Sequence, residues 1–194
     1  MKNNKIFFGR TGLFVAALAT TLLFAFTNHG GGIYKTNTGN ISFFSHTSVE
    51  DISAINHKVK TAFDATSGKI QFSVLIKDFE FEKALMQEHF NENYMESTKF
   101  ASSTFSGIIE NVGSIAFSKN GEYTATVKGQ LKIKGVSKEV STKSTFTVNN
   151  GVVNGKTLFV INPEDYGIEI PKVVSNKVSR EIEITVDADY KHAH

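Results

Sequence analysis

The side chains best able to do chemistry in this 194-residue sequence gather between Met86 and Gly107. The first half of that stretch places His89 between Glu88 and Glu92, and adds the carboxamides of Asn91 and Asn93 and the phenol of Tyr94. Glu88 and Glu92 lie one helical turn apart, so with His89 they could begin a metal site, or give His89 a role as acid and base on an apolar substrate. A water-solvated helix face accounts for the same three residues. A metal centre needs three converging ligands with carboxylate support, and His46, His57, His192 and His194 are scattered along the chain or end it. Cysteine is absent, which removes thiolate catalysis, disulfides and Cys-ligated metals. There is no Gly-x-Ser-x-Gly elbow and no glycine-rich loop opening a helix. The reading therefore assigns no catalytic residue, no metal and no cofactor, and keeps His89, Asn93 and Tyr94 as polar groups that could fix one end of a ligand.

Such a stretch works only when a rigid scaffold presents it. No Pro or Gly interrupts residues 82–94, and most of them favour helix, so a short helix is expected there. The surrounding segments alternate instead. Ile70, Phe72, Val74 and Ile76 share one face, as do Tyr123, Ala125, Val127, Gly129, Leu131 and Ile133, and later Ile182, Ile184, Val186 and Ala188. Shorter extended segments are expected over 33–36 and 40–46, with Ile41, Phe43 and Ser45 on one face, and further strands over 136–148 and 158–161. Residues 51–64 are ambiguous. Ile52, Ile55, Val59 and Phe63 recur at helical spacing behind Asp51 as a cap, so a helix is expected, with the β-branched content leaving a strand open. Turn signals fall at 65–68, 119–121, 149–151 and 153–155, three of them ending in Asn-Gly, which suits tight antiparallel hairpins. A chain with six to eight such strands must hide one face of its sheet. Closure into an all-β antiparallel barrel of about eight strands does this.

The first 27 residues read differently. Lys2, Lys5 and Arg10 precede an apolar run over 13–26, the pattern of a secretory signal, with Ala25 and Thr27 the best small pair for cleavage. The run is shorter than the roughly 20 residues that a spanning helix needs, and nothing later is apolar enough to span. The expected organisation is a signal peptide over 1–27 and one barrel domain over 28–194, exported to the periplasm or secreted. Loss of the leader takes the formal charge from +2 to −1. A near-neutral mature chain without a long basic run lacks the footprint of a nucleic-acid binder. A mild basic zone of Lys132, Lys134, Lys138 and Lys143 surrounds Gly135.

From Tyr34 to Tyr190 the chain resembles the YceI-like family, the lipocalin-like polyisoprenoid-binding proteins exported by bacteria. The likeness rests on Ile41-x-Phe43-x-x-His46, Ile70-x-Phe72-x-Val74, His89-Phe90 followed by Tyr94 and Phe100, Phe105-x-Gly107, and above all Gly129-x-Leu131-x-Ile133-x-Gly135-Val136-x-Lys138. Where a typical member carries Arg-Asp-x-His-Leu this chain has Met86-Gln87-Glu88-His89-Phe90, the mark of a divergent member. The resemblance implies an eight-stranded barrel with one or two short helical insertions and a long apolar tunnel that sequesters an isoprenoid, a quinone or another lipid-like amphiphile. Its lining would then include Phe43, Phe72, Val74 and Ile76 from the first half of the barrel. Phe90 would come from the helical stretch, and Phe105, Val127, Leu131, Phe146 and Ile184 from the later strands. Inward aromatic and branched residues could equally fill a plain core. In that alternative the chain is an interaction protein that displays residues 86–107 to a partner. A homodimer is compatible with either reading.

Overall fold

Each alternating strand has one face that must leave water, and a sheet that curls until its edges meet hides all such faces together. The computed structural model describes residues 32–193, so the expected leader lies outside the described residues. The strands are β1 (Ile33–His46), β2 (Asp51–Asp64), β3 (Lys69–Leu75), the two-residue β4 (Glu80–Phe81), β5 (Ser102–Ile109), β6 (Gly121–Ile133), β7 (Val136–Asn149), β8 (Val152–Ile161) and β9 (Ile182–His192). Eight of them close in the order β1-β9-β8-β7-β6-β5-β3-β2 and back to β1, every pairing antiparallel, while β4 lies against β2. The expected eight-stranded barrel is the observed one.

Residues 51–64 form strand β2, not the expected helix. The cause is a bulge. Gly39 pairs with Val59 and Ile41 with Asn56, so three steps along β2 match two along β1. Ala54 and Asn56 point inward before the bulge, and Val59, Thr61 and Phe63 after it. The extra residue shifts the phase of the period-two pattern and brings Val59 and Phe63 onto the face of Ile52, while Ile55, the remaining member of the apparent helical spacing, is exposed.

Two of the expected turns also resolve differently. Asn150-Gly151 does close β7 onto β8, with φ of 48° and 81°, as a primed hairpin requires. Residues 153–155 instead lie within β8, where Gly155 pairs with Phe146. A Cβ there would sit 3.1 Å from the Tyr190 ring, so this glycine provides room rather than a bend. Asn154 donates across to Asp187 and Asp189 of β9. Asn120-Gly121 ends the longer 110–120 connection, and Asn120 Oδ1 accepts the Asn150 N–H at 2.9 Å.

One end of the barrel is packed solid around Phe63. Tyr34 stacks on it at 5.1 Å, Tyr190 meets it edge-on at 4.9 Å, and Phe117 lies at 5.3 Å. The Tyr190 hydroxyl and the Thr61 hydroxyl, both buried, hydrogen-bond at 3.1 Å. Burial pushes the Tyr190 phenol far above its ordinary pKa, and the bond to Thr61 offsets this only in part, so the ring stays neutral. Replacing Tyr190 by Phe leaves Thr61 without this partner. We expect a loss of about 1 kcal/mol, read as a lower urea midpoint at unchanged slope.

Candidate ligand-binding cavity

Above the packed end the barrel is hollow, with a cavity of about 570 Å³. That lies within the range of small-molecule sites. Ile70, Val127, Phe146 and Tyr190 of the packed cluster border it on that side. Its walls carry Phe43 of β1, Phe72 and Val74 of β3, Phe105 of β5, Leu131 of β6 and Ile184 of β9. Ile76 follows β3 in a short 3₁₀ turn.

The mouth is built by the stretch between β3 and β5. Helix α1 (Ala84–His89) runs into a π-helical turn over Phe90–Tyr94, closed by the Met95 N–H on the Phe90 carbonyl at 2.9 Å. Phe90 thereby joins an aromatic collar with Phe43 at 5.5 Å, Phe79 at 5.6 Å and Phe81 at 5.0 Å. The loop after this turn is pinned to the barrel by Glu96, whose carboxylate meets Lys134 Nζ at 2.7 Å on the β6–β7 hairpin. The hydrogen bond from Lys134 holds the Glu96 carboxyl below its ordinary pKa. Lys134 and Gly135 take φ of 47° and 83°, and the Phe100 ring covers Gly135 so closely that a Cβ there would lie 3.0 Å away. The most specific motif of the sequence is thus a primed hairpin with an aromatic lid.

Every apolar residue expected to line a tunnel borders this cavity: Phe43, Phe72, Val74, Ile76, Phe90, Phe105, Val127, Leu131, Phe146 and Ile184. Of the polar trio, His89 and Tyr94 border it, and burial raises the Tyr94 phenol pKa so that its hydroxyl stays protonated. Asn93 does not border it and is exposed. A regular α-helix would keep residue 93 near the face of Phe90, but the wider π turn brings positions 94 and 95 inward instead.

Several bordering residues were not foreseen from the sequence, three groups among them. Phe79 and Phe81 alternate around Glu80, and period two alone could have placed them in the collar. Thr142, Ser144 and Thr157 form a hydroxyl stripe where the β7–β8 ladder ends at Ser144 and Thr157. The Thr142 and Thr157 hydroxyls lie 3.1 Å apart, and Thr157 donates to the Lys143 carbonyl at 3.1 Å, replacing backbone bonds at the splayed seam. The segment 162–181 contributes Ile168, Ile170, Val174, Lys177 and Val178 without any periodic signal. Glu50 and Lys83 join Lys177 among the bordering residues.

The arrangement suits the holding of an apolar chain, and neither His46 nor His57 borders it. His46 binds Asp51 at 2.6 Å and His57 binds Asn40 at 2.7 Å, both on exposed side chains away from the lining. Among the described residues no three His, Asp or Glu side chains gather to hold a metal ion.

The profile of the YceI-like domain matches residues 23–190. No curated protein sequence matches the chain. Among solved structures, a polyisoprenoid-binding domain from Saccharophagus degradans, implicated in plant cell wall breakdown, superposes with a TM-score of 0.73 at 12% identity over 84% of this chain and 99% of its own. BcnA of Burkholderia cenocepacia gives 0.65 at 16% identity, over 78% of this chain and 95% of its own. A YceI protein of Campylobacter jejuni gives 0.53 at 14%, over 100% and 99%. At these identities the structural likeness speaks for the fold, while the profile match extends over most of the sequence. The chain belongs to the YceI-like family.

Proposed function

We propose that the protein is an exported, non-enzymatic carrier that sequesters one lipid-like amphiphile, such as an isoprenoid or a quinone, in the barrel. The observation that carries this reading is the unfilled, apolar cavity of about 570 Å³, where a filled barrel would have supported a purely structural or interaction role. Each CH₂ withdrawn from water into it contributes about 0.8 kcal/mol, so a five-carbon isoprene unit contributes up to ~4 kcal/mol before the cost of ordering the chain. The name of the Saccharophagus degradans domain supports an isoprenoid as the first candidate. Export is supported by the basic and then apolar leader.

The test is displacement of an environment-sensitive fluorescent fatty probe from delipidated protein by geranylgeraniol. Saturation at one molecule per chain is expected. Probe fluorescence that never rises above the buffer value would sink the proposal.

A further inference from the structure

The rim of the cavity carries more positive than negative charge at one point. Glu50 of the β1–β2 connection, Lys83 just before α1 and Lys177 of the 162–181 segment all border the cavity, and they come from three separate parts of the chain. Lys83 Nζ lies 3.4 Å from Glu50 Oε1, and Lys177 Nζ lies 4.0 Å from Glu50 Oε2. The second distance exceeds a hydrogen bond, and the first is a long one. Each ammonium has three donors. One carboxylate with a single long bond leaves most of the six unspent on it, beside an interior that is mostly hydrocarbon. Glu50 is also the least exposed of the three, with 25% of its side chain accessible against 63% for Lys83 and 48% for Lys177.

A lone surface ion pair would need one lysine. Two ammonium groups converging from different loops on one carboxylate, at the opening of an apolar cavity, match a ligand with an apolar chain and a negatively charged end. We propose that Lys83 and Lys177 form a headgroup site for an anionic amphiphile, its phosphate or carboxylate oxygens taking the donors that Glu50 leaves over. Glu50 spaces the two lysines in the empty protein and competes with the headgroup in the loaded one. This inference rests on the carrier reading above and adds the class of headgroup to it.

The test uses the full mature chain and three probes: dodecyl phosphate, dodecanol and inorganic phosphate. Two lysine contacts at a solvent-exposed rim should favour dodecyl phosphate over dodecanol by about tenfold at low salt, less at high salt. The double variant Lys83→Gln/Lys177→Gln should remove that preference, with the affinity for dodecyl phosphate falling about tenfold to meet that for dodecanol. Glu50→Gln should increase the preference, a response opposite in sign to the lysine variant, which a purely structural ion pair would not produce. Equal binding of the two dodecyl probes by the unaltered protein would overturn the headgroup site and leave the carrier reading standing. Binding of inorganic phosphate as tight as that of dodecyl phosphate would overturn it as well, since the site would then read a free anion. Failure of both dodecyl probes to bind would overturn the carrier reading and the headgroup site together.

Discussion

Gly129→Ala is expected to destabilise the barrel by ~3 kcal/mol or more, a fall in melting temperature of roughly 6–12 °C for a domain of this size. Gly129 of β6 stands directly opposite Gly107 of β5. A Cβ on Gly129 would collide with the Ser106 carbonyl oxygen and the Gly107 Cα, and would come within 2.9 Å of the Phe105 ring. The same holds from the other side, where a Cβ on Gly107 would meet the Lys128 carbonyl and the ring at 2.7 Å. Backbone atoms of a paired strand cannot swing away as a flexible side chain can, so the ladder itself must open. The glycine pair leaves a bare patch on the inner wall, and Phe105 lies down over it. Gly113→Ala is the matching control. A Cβ there meets nothing within 4 Å, and the change should stay within about 0.5 kcal/mol. Equal melting temperatures for the Gly129 and Gly113 variants would show that the wall is not built this way.

The second large effect concerns the cavity. Leu131 of β6 and Ile184 of β9 face it from strands three places apart around a wall of eight. Tryptophan at both positions extends into open space rather than into packed atoms, so the usual cost of overpacking is largely avoided. The added rings take the room of about three to four methylenes. At ~0.8 kcal/mol each, binding of a long-chain amphiphile should weaken by ~3 kcal/mol, roughly a hundredfold, while the unfolding transition stays close to that of the parent. Unchanged affinity in a folded double variant would place the ligand elsewhere.

The barrel was legible where alternation is undisturbed. In β6 and β9 the inward set follows directly from period two, because side chains of a strand can face only two ways. The pattern failed where a bulge adds a residue, as at β2, and where a glycine makes room instead of turning the chain, as at Gly155. The cavity was harder to foresee than its walls. Phe72 and Phe105 would face inward in a solid core as well, and hollowness depends on how far the strands stagger around the barrel, which no single strand encodes. Lys177 illustrates the remaining gap. It belongs to an aperiodic stretch, and only the path of the chain across the mouth brings it to Glu50 and Lys83.

A carrier of this kind holds one amphiphile in its cavity. Native mass spectrometry of the protein purified from an exporting bacterial host without added lipid, followed by analysis of its organic extract, addresses this most directly. A discrete mass excess of one molecule per chain is expected, released by solvent as a compound with a long apolar chain and absent from the Leu131→Trp/Ile184→Trp variant. Protein recovered empty in repeated preparations, and still empty after incubation with isoprenoid and fatty-chain lipids, would contradict it.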